Sequence, residues 1–168
     1  MSALIEVDGY KDYFVVGAEP EMCCRLRHKS RKIYRFNSEM TLHDANITRF
    51  SQWRKRANRV GFTFALAAKE HGKSSERFGV RRASRSLIWS GLLGCIVFLS
   101  IIEPVMLFAL LIYPLQIIKM FLKQKDKSLY GFKSCAFLMI SKLPEALGVL
   151  ELMIKTFKKQ DYTIIEYK

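Results

Sequence analysis

Apolar residues dominate one long stretch of the chain, residues 86–118, in which Glu103 is the single charged residue. As one straight helix this stretch would reach roughly 50 Å, whereas the hydrocarbon core of a bilayer is about 30 Å thick. Proline interrupts helical hydrogen bonding and restricts the preceding residue, so Glu103-Pro104 is expected to divide the stretch. The pattern predicts a hairpin of two apolar helices, Leu87–Ile102 and Val105–Leu122, that spans or re-enters a membrane. One long tilted helix, or a buried core hairpin of a soluble protein, is the alternative.

A helical period is visible after this stretch as well. From Ser141 onward, apolar residues recur at helical spacing while charged residues occupy the other faces, which predicts an amphipathic helix. Pro144 suits its first turn. Such a helix lies either in the headgroup plane of a membrane or against the rest of the protein. Its apolar stripe comprises Leu143, Ala146, Leu147, Leu150, Ile154 and Phe157.

A second amphipathic helix is predicted over residues 49–69, with one apolar and one basic face. The basic face either attracts phosphate groups, anionic lipid or nucleic acid, or is simply solvated. The apolar stripe comprises Phe50, Trp53, Ala57, Val60 and Phe64, and the opposite side carries Gln52, Lys55, Arg56 and Arg59.

The first part of the chain shows shorter elements. Glu19-Pro20 predicts a helix start, with Glu19 at the cap, proline at the first helical position and a short helix through Arg27. Peptide dipoles at that helix end favour the ionised carboxylate. The segments Lys32–Phe36 and Glu39–His43 are predicted to be extended.

Composition adds a marked positive charge, because 28 Lys and Arg residues face 15 Asp and Glu residues, a net +13. Half of the residues are hydrophobic, which excludes a disordered polybasic tail. Nucleic-acid binding is also disfavoured, since no basic platform interleaved with aromatic residues is present. Basic residues flank the apolar stretch on both sides and favour the cytoplasmic side of a membrane, so both ends of the hairpin are expected there. They are Arg81, Arg82 and Arg85 before it, and Lys119, Lys123, Lys125 and Lys127 after it.

Several short motifs lack the spacing that their chemistry requires. His71-Gly72-Lys73-Ser74 is similar to the end of a phosphate-binding loop, but Ala67 stands where the earlier glycine is needed. Cys23-Cys24 with His28 lacks the paired spacing of a zinc site. Neither motif therefore predicts a site.

The order of several motifs resembles the C-terminal half of a family 2 glycosyltransferase. It is similar to the membrane-associated bacterial enzymes of exopolysaccharide synthesis, including the succinoglycan type, and the resemblance covers nearly the whole chain. It implies an α+β remnant of a GT-A-type α/β domain over residues 1–80, a transmembrane hairpin over 86–122 and a basic amphipathic segment over 123–168, predominantly α-helical. The motifs are Gly9-Tyr10, Gly17–Arg27, Glu39–Asp44, Phe50–Arg56, Leu143–Gly148 and Ile164–Lys168.

The resemblance also implies a chemistry, in which a glycan or lipid-linked acceptor attacks a nucleotide-sugar donor with inversion. By resemblance Glu19 is the general base, and Glu21 positions the acceptor or simply complements the helix dipole. His43, supported by Asp44, would help to hold a Mg or Mn ion, or is a structural histidine. The residues expected at the donor diphosphate are Gln52, Arg54 and Arg56.

The chain departs from the family in one important respect. The metal-binding Asp-x-Asp motif and the nucleotide-binding half belong before Gly9, where eight residues stand. The resemblance therefore implies a truncated or split enzyme, multi-pass in the bacterial inner membrane, with its soluble region and C-terminus cytoplasmic and a separately encoded N-terminal half as partner. Whether it is an enzyme stays open. The alternative is a non-catalytic membrane-anchored fragment whose basic helix binds anionic lipid or an acidic protein partner.

Overall fold

The part of the chain that the computed structural model describes, residues 2–11, 13–14, 16–34 and 47–160, is mostly helical. The prediction of a predominantly α-helical chain is confirmed. The elements are α1 Ser2–Ile5, α2 Ala18–His28, α3 Phe50–His71, α4 Val80–Ile102, a 3-10 helix Pro104–Leu111, α5 Ile112–Lys123, α6 Leu129–Ile140 and α7 Lys142–Phe157.

The two extended segments predicted near the N-terminus receive no support. Residues 32–34, the described part of the first segment, have no regular secondary structure. The second segment, Glu39–His43, lies outside the described residues, as does the C-terminal motif Ile164–Lys168. The described ranges contain no strand, and the α+β character expected of residues 1–80 receives no support from them.

Helices α3 and α7 pack closely and form the centre of the core. A methyl group on Gly61 of α3 would overlap the backbone of Glu145, and one on Gly148 of α7 would overlap the backbone of Asn58. The absence of a side chain at both glycines therefore allows the two helix backbones to approach. The buried side chains around this contact include Phe14, Phe62, Leu66, Val149 and Leu152.

The amphipathic helix predicted from Ser141 is present as α7, and most of its apolar stripe faces away from the core. Ala146 is buried, whereas Leu143, Leu147, Leu150, Ile154 and Phe157 are exposed. The inward face instead carries Pro144, Gly148, Val149 and Leu152. Close approach of α3 favours small residues on this face and leaves the large apolar side chains pointing away from the core.

The predicted apolar hairpin is present, and its break falls at Glu103, which is extended (φ −128°, ψ 98°) as expected of a residue before proline. By length and composition, α4 and the stretch Pro104–Lys123 are each long and apolar enough to cross a membrane. Most of their surface is not covered by the rest of the described chain. Helix α4 begins at Val80, earlier than the predicted Leu87, so its first two turns carry basic residues.

Helix α6 was not predicted from the sequence. Large apolar side chains occur on all of its sides, so no amphipathic pattern marks it. Its described exposed residues include Leu129, Tyr130, Phe132, Phe137, Leu138 and Ile140. The helix nevertheless begins regularly, because the side chain of Ser128 accepts a hydrogen bond from the backbone of Gly131 at 3.2 Å.

Candidate functional site

Two carboxylates of α2 have opposite environments although they are two positions apart. Gly17 precedes the helix in the left-handed conformation (φ 78°), which glycine adopts readily, and α2 begins at Ala18. The sequence had predicted Glu19 at the cap, but Glu19 lies inside the first turn. The side chain of Glu19 is exposed, whereas that of Glu21 is fully buried.

The buried carboxylate of Glu21 is held by Arg25, one helical turn further along α2. Arg25 Nε donates to Glu21 Oε1 at 2.8 Å and to Oε2 at 3.0 Å, and Nη2 donates to Oε2 at 2.8 Å. The same guanidinium donates to the carbonyl oxygens of Val7 and Gly9, the latter at 2.6 Å. Arg25 thus joins the buried carboxylate of Glu21 to residues 7–11, hereafter the N-terminal segment.

Helix α3 contributes His71, its last residue. Its Nε2 lies 2.9 Å from Glu21 Oε1, and since a carboxylate can only accept, Nε2 carries the proton. Lys11 Nζ lies 3.7 Å from the same oxygen and donates to Glu70 Oε2 at 2.7 Å. Glu21, Arg25, His71, Lys11 and Glu70, hereafter the Glu21 cluster, link α2, α3 and the N-terminal segment.

The charges of the Glu21 cluster determine its protonation. Burial by itself would raise the pKa of Glu21, but hydrogen bonds from Arg25 and His71 and the charges of Arg25 and Lys11 hold it below its usual value. Burial likewise would lower the pKa of Lys11, yet its hydrogen bonds and charge interactions, chiefly with Glu70, raise it to about 12. Glu21 is therefore a carboxylate, and Lys11 an ammonium, throughout the physiological range.

The two carboxylates consequently differ in what they can do. Both oxygens of Glu21 are already engaged by Arg25, so this group cannot act as a general base without breaking a buried ion pair. Its predicted role in positioning an acceptor stays a prediction, and any such effect would pass through α2. Glu19 is accessible at the beginning of the same helix and has room to meet a hydroxyl group.

The remaining predicted residues are not brought together at Glu19. Gln52 accepts from the backbone amides of Thr48 and Arg49, both at 3.1 Å, and so caps the start of α3. Arg54 is exposed on that helix, while Arg56 reaches a cavity between α3 and the apolar helices. His43 and Asp44 lie outside the described residues.

Two groups of described side chains come close enough to be considered as metal ligands. Glu21, Glu70 and His71 form the first, and their ligand atoms lie within 4.8 Å of one another. A Mg or Mn ion requires several free oxygen ligands, whereas Glu21 is taken by Arg25 and Glu70 by Lys11. The first group does not fit the ion that the resemblance implies.

The second group is Cys24, His28 and His71, again within 4.8 Å. A thiol and two imidazoles are softer ligands than Mg prefers. Burial first, and then the negative charge of Glu76, raise the pKa of the Cys24 thiol, which disfavours the thiolate that a metal would need. The described residues therefore offer no fitting site for the expected cation.

The sequence contained only part of the signal for the Glu21 cluster. Glu21 and Arg25 stand four positions apart, the spacing at which helical side chains meet, so this pair was visible in principle. His71 lies 50 positions after Glu21 and was considered only within a failed phosphate-loop motif. Nothing in the local pattern joins it to α2.

Comparison with known proteins adds no further assignment, since no protein-family model, curated protein or solved structure matches the chain. The resemblance to family 2 glycosyltransferases therefore stays a prediction that rests on the order of motifs in the sequence.

Proposed function

We propose that this chain is the acceptor-side, membrane-anchored part of an inverting glycosyltransferase. Nucleotide-sugar binding, and any divalent cation that it requires, would be supplied by a region outside the described residues. The observation that carries the proposal is the position of Glu19, which is exposed in the first turn of α2. The other acid of that turn, Glu21, is buried and paired with Arg25.

A general base has to be ionised, accessible and fixed in direction when the acceptor hydroxyl attacks. The helix end favours a negative charge at Glu19. Direction comes from the Glu21 cluster, because Arg25 and His71 tie α2 to the N-terminal segment and to α3. Glu19 would then accept the proton of the acceptor hydroxyl. The hydroxyl oxygen attacks the anomeric carbon of the donor sugar, and the donor diphosphate departs.

The two apolar helices, α4 and the stretch Pro104–Lys123, support an acceptor that is attached to lipid or that grows at a membrane. Two helices are long and apolar enough to cross a bilayer, and their apolar surface is open. We propose that they insert as a hairpin in the inner membrane, with α2 and α3 on the cytoplasmic side. Basic residues at the outer ends of both helices support this orientation.

The test is sugar transfer by the chain co-expressed with the neighbouring upstream open reading frame, with membranes, labelled nucleotide sugars and a lipid-extract acceptor. Glu19→Gln should lower the transfer rate by about 100-fold or more, since a positioned base contributes roughly that much. Glu151→Gln removes the same charge from an acid of α7 that pairs with Lys155, and should leave transfer unchanged.

Two results would contradict the proposal at different points. Full activity of Glu19→Gln in a pair that transfers sugar would remove the base assignment. Absence of transfer by the unmodified pair with every common nucleotide sugar would remove the glycosyltransferase assignment itself.

A further inference from the structure

A cavity of about 780 Å³ lies where α3, the basic ends of α4 and α5, α6 and the start of α7 meet. This volume is in the range of small-molecule sites. Its walls include apolar side chains such as Val60, Phe64, Met120 and Leu138. The cavity lies apart from the Glu21 cluster, whose residues do not line it.

Cations from four helices line this cavity: Arg56, Arg82, Arg85, Lys119, Lys123 and Lys142. Among the described residues of its wall the one carboxylate is Glu145, which is already bonded by Lys142 Nζ at 2.6 Å and by Ser141 Oγ at 2.7 Å. Arg82 stacks over the ring of Phe64 at 4.7 Å. Among the described residues, therefore, no acid balances Arg56, Arg85, Lys119 and Lys123.

Positive charges held together in a partly apolar cavity repel one another, and an anion relieves that repulsion. Phosphate suits the arrangement best, because arginine donates to two of its oxygens at once and lysine adds a compact charge. The cavity also offers Gln116 as an uncharged polar group. A phosphate group is therefore the ligand chemistry that these side chains would recognise.

The position of the cavity indicates where that phosphate comes from. Arg82 and Arg85 lie in the first two turns of α4, and Lys119 and Lys123 in the last part of α5. From there both helices continue as exposed apolar surface, including Val97 and Phe98 of α4 and Leu115 of α5. Trp53 and Trp89 line the same cavity, and tryptophan is typical of the headgroup level of a membrane.

We propose that this cavity binds the phosphate headgroup of an anionic membrane lipid, whose hydrocarbon chain lies along the apolar surface of α4 and α5. The basic face expected on α3 alone is thus only one wall of the site: Arg56 contributes to it, and Lys55 and Arg59 do not line it. Binding does not depend on the proposed base, because neither Glu19 nor the Glu21 cluster lines the cavity. Of the residues expected at the donor diphosphate, Arg56 does line it.

The chain itself contains the probe for a binding experiment. Its two tryptophans both line the cavity, so intrinsic fluorescence reports on occupancy. The full chain, in a non-ionic detergent, is titrated with phosphatidic acid, with phosphatidylcholine and with inorganic phosphate. We expect a saturable change with phosphatidic acid, and none with phosphatidylcholine or with millimolar inorganic phosphate.

The decisive comparison uses two double variants with the same change in net charge. Arg85→Gln with Lys119→Gln removes two cations of the cavity, and should weaken phosphatidic acid binding about tenfold or more. Arg81→Gln with Lys125→Gln removes two exposed cations that do not line it, and should leave binding within about twofold. Arg85→Lys with Lys119→Arg keeps both charges and should retain most of the affinity.

Three results would overturn the proposal. Equal weakening in both neutralised double variants would show attraction by the overall charge instead of a site. Inorganic phosphate that binds as tightly as phosphatidic acid would assign the cavity to a free anion. Failure of phosphatidic acid to give a saturable change, with the chain helical by circular dichroism, would remove the site.

Discussion

Gly61 of α3 and Gly148 of α7 each lie against the backbone of the opposite helix, one close to Glu145 and the other close to Asn58. The contact is reciprocal, since each helix has a glycine at the point where the backbone of the other helix comes close. It brings together the two helices on which most of the described core is built. Small residues serve the same purpose in helix pairs within membranes.

Gly61→Ala and Gly148→Ala are each expected to destabilise the fold by about 1–3 kcal/mol or more, because the added methyl group overlaps backbone and not a flexible side chain. The measurement is denaturant-induced unfolding in a non-ionic detergent, followed by circular dichroism. Gly91→Ala provides the matched control, since nothing lies within 4 Å of the new Cβ on α4. It should be neutral or stabilising by about 0.5–1 kcal/mol. If Gly61→Ala and Gly91→Ala lowered the free energy of unfolding equally, the close approach of the α3 and α7 backbones would be contradicted.

Glu21→Gln is expected to lower the free energy of unfolding by about 3–5 kcal/mol, because the charge of Arg25 loses its buried partner. Unfolding of the purified chain at neutral pH measures the effect. Glu19→Gln makes the same chemical change on an exposed side chain of the same helix, and should shift stability by no more than about 0.5 kcal/mol. A Glu21→Gln variant as stable as Glu19→Gln would show that the cluster does not hold α2 in place.

The same cluster predicts acid sensitivity. The pKa of Glu21 is lower in the folded chain than its ordinary value of 4.5, so its contribution to stability is complete above that value. It is lost as the pH falls below 4.5 and through the folded pKa, where the carboxylate takes up a proton. Unfolding measured between pH 7 and pH 3 should therefore show a decline that is smaller in Glu21→Gln. Identical pH profiles would assign the acid sensitivity to other groups.

The sequence predicted those features that depend on neighbouring residues. The break at Glu103 follows from Pro104, and the long helix over 49–69 follows from its period; both are present. Arg25 lies one turn from Glu21, which a helical spacing also allows. Such features depend on bond geometry and on side chains that are close along the chain.

Features that depend on packing between distant segments could not be predicted in this way. Periodicity identified the apolar stripe of α7 but not which face packs on α3, which Gly148 allows to approach on another side. His71 meets Glu21 only because α3 ends beside α2. Arg85 and Lys119 were interpreted as signals of orientation, and only the folded chain shows that they share a cavity.

The proposed membrane hairpin predicts which side of a bilayer each of its ends reaches. Cys23 and Cys95, the two cysteines that are not buried, are replaced by serine. A cysteine is then introduced at Glu103, in the break, or at Lys125, just after α5. If both helices cross the bilayer, a membrane-impermeant maleimide should label Glu103→Cys in intact bacterial spheroplasts, and Lys125→Cys only after the membrane is opened. The positive charges at the outer ends of both helices favour this orientation.

The cysteine-reduced chain without an added cysteine gives the background, since its remaining thiols, Cys24 and Cys135, are buried. Labelling of both introduced cysteines only in opened membranes would mean that the hairpin enters and leaves on the cytoplasmic side. The extended backbone at Glu103 and the short 3-10 helix after it would then form the turn of a re-entrant loop. Labelling of both cysteines from outside would reverse the orientation and put α2, with Glu19, on the side away from cytoplasmic nucleotide sugars.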